Sequence, residues 1–521
     1  MSEIQKVIIV ADDLGCSDWN QHLELFLGRG IGQYRFTVFA RSGGELERKF
    51  GEKADRVQVI PDLGKMRRTC AAHLKNTAGN MATVLLRGIG TSSLSELFWS
   101  YDLPVIQIVD HPPATKADAH QFNKNCCYLG GIIFASDEVR RATVSASCHS
   151  THLEIHAPFC GPSDRLLELL PSLAEKLQRR MERERNDCKT ISASRLFDIK
   201  FAYPWIGRDR RRAIKKHTTT WCTGINLRKP FPGFHPGIYE ERNGVDGGDP
   251  MAHYIRHGQP EGPWDFSVIR APIIGGGHRS RMKTALHIHC FYRDHIPSII
   301  APLLRAKSRP DLYISVPSEA VGMGIRKAME GIRDRKIDIR TVPNRGRDIG
   351  PMLTEFSEDL KSYEVIGHYH TKESLGYLNR RVHKIYINFL RENMLGGRKP
   401  MIDVILKAME RDPGLGLVFP DDPHVIDWMG NRDHALALMQ RMGFSQDIPE
   451  RHLNFPVGSM FWARSKALQP LFDLNLDWSD YPEEPIPDDG TMLHAIERIL
   501  PIVSEQSGYR NAVTHVRGVP R

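Results

Sequence analysis

The segment best suited to chemistry is NRGRDIG at 344–350, where two arginines stand beside glycines. The glycines permit a tight turn, and Asp348 is a residue type that caps helices. Each guanidinium group can donate two parallel hydrogen bonds to phosphate oxygens, and the amino end of a helix attracts anions. A simple strand-to-helix turn explains the glycines and Asp348 but not the arginines. The pattern therefore predicts an anion site formed by Asn344, Arg345, Gly346, Arg347 and Asp348.

The next predicted strand, in YEVIGHYHTKES, ends in three cationic or titratable side chains: His368, His370 and Lys372. In many enzymes that use nucleotide sugars, Asp-x-Asp stands at this place and binds a divalent metal together with the substrate phosphates. Because basic side chains replace the acidic ones here, we expect them to contact phosphates directly, with no metal and no cofactor. Asp421 and Asp422 in FPDDP are the alternative metal pair, although acids on a turn flanked by prolines are usually solvated.

Four carboxylates stand beside prolines just before an apolar helix in YPEEPIPDDGTMLHAIER: Glu483, Glu484, Asp488 and Asp489. One of them can cap the helix while another points into a cleft and acts as a general base. Asp489 is the better candidate for the base because it directly precedes the block GTMLHAIER, and Glu484 is the second. Capping alone remains the alternative.

A glycine turn followed by two aromatic residues forms FPVGSMFWAR at 455–464. With Gly458 at the turn, Phe461 and Trp462 are candidates for stacking on a sugar ring, and burial in a core strand is the alternative. His253 and His257 are four residues apart, as metal ligands on a helix would be, but no acidic residue accompanies them as in HExxH. We therefore expect packing and capping roles for these two histidines.

Short runs rich in valine and isoleucine alternate with helical stretches over residues 1–165. These runs are KVIIVADD, YRFTVFAR, RVQVIP, ATVLLRG, LPVIQIVD and GIIFASDEV. Buried runs separated by helices predict a parallel, doubly wound sheet. Ligands of such sheets bind at the carboxyl ends of the strands, so the loops at 12–19, 88–93 and 110–112 should line one crevice.

A second alternating region follows a connector. Residues 166–280 begin with a charged helix and continue in a stretch rich in proline, glycine and aromatic residues, which predicts short helices and turns. From 281 to 521, the predicted strands are TALHIHCFY, DLYISVPS, KIDIRTVPN, YEVIGHYH and LGLVFPDD. The expected fold is therefore α/β, with two Rossmann-like sheet domains joined by a helical and irregular connector.

Length and composition are those of a soluble globular protein with more than one domain. A chain of 521 residues with 41% hydrophobic and 26% charged residues suggests two or three soluble domains. No apolar run approaches the length of a membrane span, and the amino terminus does not resemble a signal peptide, so we expect a cytoplasmic location. Nine scattered cysteines without CxxC pairs indicate reduced thiols.

The formal charge of +9 indicates anionic partners, and the densest basic run is RDRRRAIKK at 208–216. A solvated helix face is one interpretation of this run. Peripheral contact with the anionic inner face of a membrane is the other. Binding to nucleic acid is not expected, because the run lacks the aromatic residues that interleave with basic ones in single-strand-binding proteins.

Four blocks in the carboxyl-terminal part resemble the rhamnan synthesis protein F family, which is linked to bacterial cell-surface polysaccharide assembly. They are NRGRDIGPML, HYHTKES, FPVGSMFWARSKAL and DDGTMLHAIER, they occur in the family's order, and they cover about 285–515. The block DPMAHYIRHGQPEG resembles a segment found beside glycosyltransferase domains in such proteins. Residues 1–165 resemble the amino-terminal half of a GT-B glycosyltransferase, although no second half follows.

The resemblance implies a glycosyltransferase of polysaccharide or O-antigen assembly. Its donor would be a nucleotide sugar that carries a deoxyhexose, such as dTDP-rhamnose, and its acceptor would be a glycan or a lipid-linked molecule. It implies a single-sheet, GT-A-like domain over 281–521. In that domain Arg345, Arg347, His370 and Lys372 would replace the metal of similar transferases. A carbohydrate-binding or scaffold protein of the same machinery, without catalysis, is the alternative.

Overall fold

The structure, a computed structural model, describes residues 5–15, 18–30, 33–76, 82–126, 128–129, 131–134, 138–139, 143, 154–156, 164–224, 226–245, 247–371, 380–487 and 489–521. The chain divides into two compact units. The first consists of Met1–Arg195, Arg210–Leu227 and Val245–Gly258, and the second of Leu196–Asp209, Arg228–Gly244 and Gln259–Arg521. Segments of the predicted connector thus contribute to both units. The predicted domain boundaries near residues 165 and 280 stay predictions.

The strands follow the valine and isoleucine runs of the sequence. In chain order they are β1 (Gln5–Ala11), β2 (Tyr34–Ala40), β3 (Arg56–Val59), β4 (Ala82–Arg87), β5 (Val105–Val109), β6 (Gly131–Phe134), β7 (Glu154–His156), β8 (Ser267–Ile269), β9 (Thr284–His289), β10 (Asp311–Val316), β11 (Ile337–Thr341), β12 (Val365–His370), β13 (Leu415–Pro420), β14 (Phe461–Arg464) and β15 (Arg510–Thr514).

Helices connect these strands. In chain order they are α1 (Asp18–Gly30), α2 (Glu47–Gly51), α3 (Leu63–Asn76), α4 (Ser95–Ser100), α5 (Lys116–Cys126), α6 (Asp164–Ser194), α7 (Ile199–Ala202), α8 (Arg210–Thr223), α9 (Pro236–Asn243), α10 (Pro250–Arg256), α11 (Ile296–Arg305), α12 (Glu319–Ala328), α13 (Ser357–Lys361), α14 (Arg380–Met394), α15 (Met401–Arg411), α16 (Arg432–Arg441), α17 (Gln469–Phe472) and α18 (Met492–Gln506). Among the described residues, no helix is both long and apolar enough to cross a membrane.

The first unit contains a seven-stranded sheet in the order β3-β2-β1-β4-β5-β6-β7. Every pair of neighbouring strands is parallel. Both faces are covered, because successive residues of β1, such as Ile8 and Ile9, point to opposite faces and belong to different buried clusters. This confirms the predicted parallel, doubly wound sheet.

The second unit contains an eight-stranded sheet in the order β11-β10-β9-β12-β14-β13-β15-β8. All neighbours are parallel except β14, which runs antiparallel to both β12 and β13. The five strands predicted from residue 281 onward are confirmed. The strands β8 and β15 were not predicted, and a strand at β14 was only the alternative interpretation; β8 has just three residues and no clear alternation. Together the two sheets confirm the predicted α/β class.

Three parallel neighbours in the second sheet, β10, β9 and β12, end at the same edge. Their register places His287 opposite His368 and His289 opposite His370. Ser315, on β10, lies opposite His289 on the other side. The sheet therefore brings polar side chains of three strands to its carboxyl edge, and the loop after β11 enters the same region.

Candidate functional site

The loop after β11, residues 344–350, makes a left-handed turn at Gly346 and Arg347, and we call this loop the arginine turn. Gly346 and Arg347 have φ angles of +75° and +50°. A Cβ on Gly346 would lie 2.8 Å from the Cα of Gly350 and 3.0 Å from the ring of Tyr481. Glycine is therefore required here both for conformation and for space. The turn continues into a π-helical turn at Pro351–Glu355.

Asp348 does not cap this helical turn, so that part of the sequence interpretation was wrong. Gly350 precedes the turn and no side chain caps it. The carboxylate of Asp348 instead accepts a hydrogen bond from Nε2 of His368 at 3.2 Å. Asp348 is buried, and this contact joins the loop to β12.

Arg345 and Arg347 are held by uncharged groups. Arg345 donates to the carbonyl oxygens of Tyr481 at 2.6 Å and Ser479 at 3.2 Å. Arg347 donates to the carbonyl oxygen of Pro487 at 3.3 Å, and its Nη1 lies 3.3 Å from Nε2 of His494. The nearest carboxylates, Glu483 and Glu484, are 4.0 and 3.9 Å away. Among the described residues, the two guanidinium groups are thus held at hydrogen-bond distance by carbonyl oxygens and a histidine, and their carboxylate partners lie at the longer distances of 3.9 and 4.0 Å.

The buried Nε of Arg347 has no hydrogen-bond partner among the described residues. The Arg345 and Arg347 side chains are 29% and 27% exposed, so each presents part of its fork to solvent. Such a pair can bind phosphate oxygens with little reorganisation. Asn344 precedes the pair in the same turn and is exposed.

A chain of hydrogen bonds crosses the three strand ends. It joins Asp348 to His368 at 3.2 Å and His368 to His287 at 2.9 Å. It continues from His287 to Ser315 at 3.1 Å and from Ser315 to His289 at 2.9 Å. We call these five residues the histidine relay. All five are buried.

The relay has one consistent set of protonation states. Burial raises the pKa of Asp348, but the charge of His370 and the bond from His368 outweigh it and leave that pKa well below its ordinary value. Burial lowers the pKa of His368 and His287, so both imidazoles are neutral. Because the carboxylate only accepts, Nε2 of His368 must donate to it, and Nδ1 must accept from Nδ1 of His287. Nε2 of His287 then accepts from the Ser315 hydroxyl, which accepts from Nδ1 of His289.

His287, His289 and Ser315 were not singled out from the sequence. The pattern HIH in β9 repeats HYH in β12, and this shared alternation is the signal that could have identified them. Whether these histidines contact one another depends on the register between the strands, which cannot be obtained from the sequence.

His370 and Gly458 meet at a second turn. Nε2 of His370 donates to the carbonyl oxygen of Gly458 at 2.9 Å. Gly458 and Ser459 have φ angles of +86° and +55°, and a Cβ on Gly458 would lie 2.4 Å from the hydroxyl oxygen of Tyr386. The structure therefore brings two of the predicted site residues together. We call residues 457–460 the Gly458 turn.

Glu497, in α18, anchors the Gly458 turn from the other side. Its Oε1 accepts from the backbone N–H of Gly458 at 2.6 Å and of Ser459 at 3.1 Å. Burial raises the pKa of Glu497 to about 7, although Arg498 opposes the shift. The sequence interpretation missed Glu497 because it considered only the acids before the helix. Its spacing of three residues from His494, which places the two on one helix face, could have drawn attention to it.

Asp489 lies three residues before the first residue of α18. Its Oδ1 accepts from the side chain of Asn431 at 2.6 Å and is 3.5 Å from Arg498 and 4.0 Å from His494. Its Oδ2 is buried and has no hydrogen-bond partner among the described residues. The residue that precedes α18 is Thr491, whose hydroxyl contacts His494 at 2.8 Å. Asp489 is therefore held by side chains and does not cap the helix.

The other predicted acids lie near Asp489 in the chain. Glu484 accepts from the backbone N–H of Ile486 at 3.2 Å and lies 3.9 Å from Arg347. The side chain of Glu483 is 86% exposed. Lys372 and Asp488 lie outside the described residues.

Phe461 and Trp462 do not face a site. Each is 1% exposed, and they point to opposite faces of the second sheet. The indole N–H of Trp462 donates to the carbonyl oxygen of Met394 at 3.1 Å. The expectation that these rings stack on a sugar is contradicted, because β14 is an interior strand with both faces covered. The alternative of a core strand is the one that the structure shows.

Asp421 and Asp422 are buried in ion pairs. Asp421 accepts from Lys229 at 2.8 Å, and Asp422 accepts from Arg521 at 2.7 Å. Within the described ranges, no group of three histidine, cysteine or acidic side chains has the geometry of a metal site. His253 and His257 stack on each other with ring centroids 3.9 Å apart, which is a packing role.

Residues 263–509 match the family model described as Rhamnan synthesis protein F. The resemblance seen in the sequence is thereby confirmed over this range. The chain is also 30% identical over 227 residues to the uncharacterized protein WxcX of Xanthomonas campestris pv. campestris, in strains B100 and ATCC 33913. The match covers 43% of this chain and 31% of WxcX, so the chain spans about a third of the length of these curated relatives.

Solved structures show weaker likeness. UGT71G1 of Medicago truncatula in complex with UDP-glucose is 9% identical, covering 79% of this chain and 95% of that one, with a TM-score of 0.24. The UDP-GlcNAc 2-epimerase of Neisseria meningitidis bound to UDP-GlcNAc is 11% identical, covering 64% and 72%, with a TM-score of 0.21. Similarity at this level does not establish a shared fold.

The range matched by the rhamnan synthesis protein F family contains the arginine turn, the histidine relay, the Gly458 turn and α18. The carboxyl edge of the first sheet lies outside it. At that edge, the described residues of the loops predicted to line a crevice, 12–19, 88–93 and 110–112, come together. Arg41 contacts Asp12 at 3.1 Å, Arg87 contacts Asp110 at 2.7 Å, and a Cβ on Gly88 would lie 2.0 Å from Asp12.

Proposed function

We propose that this chain is a glycosyltransferase that uses a nucleotide-activated sugar in cell-surface polysaccharide synthesis, and that transfer takes place at the carboxyl edge of the second sheet. The observation that carries the proposal is the arginine turn. Arg345 and Arg347 are fixed by carbonyl oxygens and by His494, without a carboxylate within 3.5 Å among the described residues. This turn lies in the range that matches the rhamnan synthesis family.

The donor diphosphate would contact the two guanidinium groups. A nucleotide-sugar donor leaves as a diphosphate, so charge develops on a phosphate oxygen in the transition state and fixed cations stabilise it. His370, beside the Gly458 turn, and Lys372 complete the proposed donor site. With these groups in place the reaction needs no metal. We propose a deoxyhexose donor such as dTDP-rhamnose and a glycan or lipid-linked acceptor.

The general base would be Asp489. One of its oxygens is held by Asn431, and the other, Oδ2, is buried and has no hydrogen-bond partner among the described residues. The side chain as a whole is 22% exposed, so an acceptor hydroxyl that approaches the carboxylate can donate to it and then transfer its proton. Glu497 has the more raised pKa, but its Oε1 already accepts two backbone bonds, so its role is to position the Gly458 turn. Glu484 is the second candidate for the base.

A donor screen tests the proposal. Calorimetry with thymidine, uridine and guanosine diphosphate sugars identifies the donor, and release of nucleoside diphosphate reports transfer. We expect one donor class to bind and to be consumed when a glycan acceptor is present. Binding of glycan without any donor binding or turnover would favour the alternative, a carbohydrate-binding or scaffold protein.

A further inference from the structure

A cavity of about 710 Å³ lies in the first unit. It is bounded by α6, α8 and the segment that leads into β5. Leu103, Pro104 and Val105 line it, and they stand at the amino end of β5. The ligands of parallel sheets bind at the opposite, carboxyl edge, where Asp12, Gly88 and Asp110 are found in this unit. The cavity is therefore a separate feature of the first unit. Its volume is in the range of ligand pockets.

The interior of the cavity is apolar. Leu177, Met181 and Ile214 line it together with the ring of Trp99. The indole N–H of Trp99 is already bound to the hydroxyl oxygen of Thr219 at 2.9 Å, and Thr219 in turn donates to Glu184 at 3.0 Å. The interior therefore suits a hydrocarbon chain better than a polar molecule.

Both acidic residues that line the cavity are neutralised. Arg180 contacts Glu184 at 2.8 Å, and Lys215 contacts Asp102 at 2.5 Å. Lys215 also lies over the ring of Trp99, with 4.5 Å between Nζ and the centroid. These two cations are therefore occupied by their partners.

Three further cations line the rim and are exposed: Arg185, Lys189 and Arg211. Among the residues that the structure describes, none of these three side chains has a hydrogen bond or ion pair. Arg185 and Lys189 are four residues apart, so they share one face of α6. Arg211 belongs to α8, which packs against α6. The rim thus carries a positive charge that no carboxylate lining the cavity offsets.

We propose that this cavity binds an amphiphile with one apolar chain and a phosphate head group. The chain occupies the space between α6, α8 and the start of β5, and the phosphate contacts the three rim cations. A phosphate fits better than a carboxylate, because it carries more charge and can accept from two guanidinium forks and an ammonium group at once. The proposal is independent of sugar transfer at the second sheet.

Calorimetry of the full chain with dodecyl phosphate below its micelle concentration tests the proposal. We expect saturable binding, with inorganic phosphate and dodecanol each at least about tenfold weaker, because each offers only half of the interaction. The triple variant Arg185→Gln, Lys189→Gln, Arg211→Gln should weaken binding of dodecyl phosphate by about tenfold or more. A matched triple, Lys49→Gln, Lys65→Gln, Arg68→Gln, removes the same charge from exposed positions outside the cavity and should bind like the wild type.

A second variant tests the chain site without changing charge. Met181→Trp places a larger side chain in the cavity and should weaken dodecyl phosphate binding while leaving the weak binding of inorganic phosphate unchanged. Thermal unfolding shows whether each variant is folded. If Met181→Trp does not fold, the two charge triples alone decide.

Two results would overturn the proposal. One is equal affinity for dodecyl phosphate in the wild type and in the rim triple. The other is binding only to vesicles of anionic phospholipid, reduced equally by both triples, which would indicate contact with a membrane surface through general charge. Binding to the free amphiphile and to vesicles, both lost in the rim triple alone, would support the cavity as the site.

Discussion

The carboxyl edges of the two sheets have similar architecture, but their arginines lie at different distances from the carboxylates. At the first sheet, Arg41 and Arg87 contact Asp12 and Asp110 directly, so each cation is neutralised inside the edge. At the second sheet, Arg345 and Arg347 contact carbonyl oxygens and a histidine. A closed ion pair must be broken before it can bind an anion, whereas a cation held by neutral groups is ready to bind one. The comparison favours the second edge as the diphosphate site.

The largest effect is expected at Asp489. Asp489→Asn keeps an oxygen that can accept from Asn431 but removes the base. We expect transfer to fall by about 10²–10⁴ while donor affinity stays nearly unchanged, because the base contacts the acceptor and not the diphosphate. Transfer rates and calorimetry measure the two quantities. Glu358→Gln makes the same charge change on an 82% exposed side chain outside the proposed site and should have no effect, as should Asp12→Asn at the first edge. Near wild-type transfer by Asp489→Asn would exclude it as the base and make Glu484→Gln the next variant.

Glu497 should make stability depend on pH. Its pKa is raised from 4.5 to about 7, so the folded state binds a proton that the unfolded state has lost between these values. The stabilisation is full below pH 4.5 and is lost as pH rises to about 7. At roughly 1.4 kcal/mol per pH unit it amounts to about 3 kcal/mol. Glu497→Gln resembles the protonated form and cannot ionise, so its stability should not show this dependence on pH.

Urea unfolding at pH 5 and pH 8 measures the effect. The wild type should lose more stability than Glu497→Gln on going from pH 5 to pH 8. Glu358→Gln, on an 82% exposed side chain, is the control and should behave like the wild type. Parallel pH profiles for the wild type and Glu497→Gln would contradict the assignment.

Arg347 should contribute to donor affinity. Arg347→Ala removes a charged donor to phosphate and should weaken donor binding by about 1.5–3 kcal/mol, as should Lys372→Ala. Arg41→Ala at the first edge and Arg326→Ala, an exposed arginine paired with Glu319 at 2.5 Å, should leave donor affinity unchanged. If Arg41→Ala weakens donor binding and Arg347→Ala does not, the site lies at the first edge and the comparison is reversed.

Chelation should have the smallest effect. Because fixed cations are proposed to stabilise the diphosphate, EDTA should leave transfer unchanged. Complete loss of activity that manganese restores would show that a metal is needed. The control is enzyme treated with EDTA that is already saturated with calcium.

The strands could be predicted because burial on both faces selects valine and isoleucine over several consecutive residues. The turn at Gly346 could be predicted because a left-handed backbone conformation favours glycine, whereas the anion site at the two arginines stays a prediction. The role of Asp348 could not, since whether it caps a turn or binds His368 depends on how the loop folds. Phe461 and Trp462 were misread for a related reason. An aromatic pair after a glycine turn has the same local sequence in a binding loop and in an interior antiparallel strand.

The histidine relay has a direction. Every N–H and O–H in it points from His289 toward Asp348, because the carboxylate at one end can only accept. A proton delivered at His289 could leave at the Asp348 end only if Ser315, His287 and His368 exchanged their donor and acceptor roles together. The proton affinity of each side chain in the histidine relay therefore depends on the other four. Replacing one histidine should change the tautomers of the others, and nitrogen NMR of the imidazoles would record that change at positions the substitution does not touch.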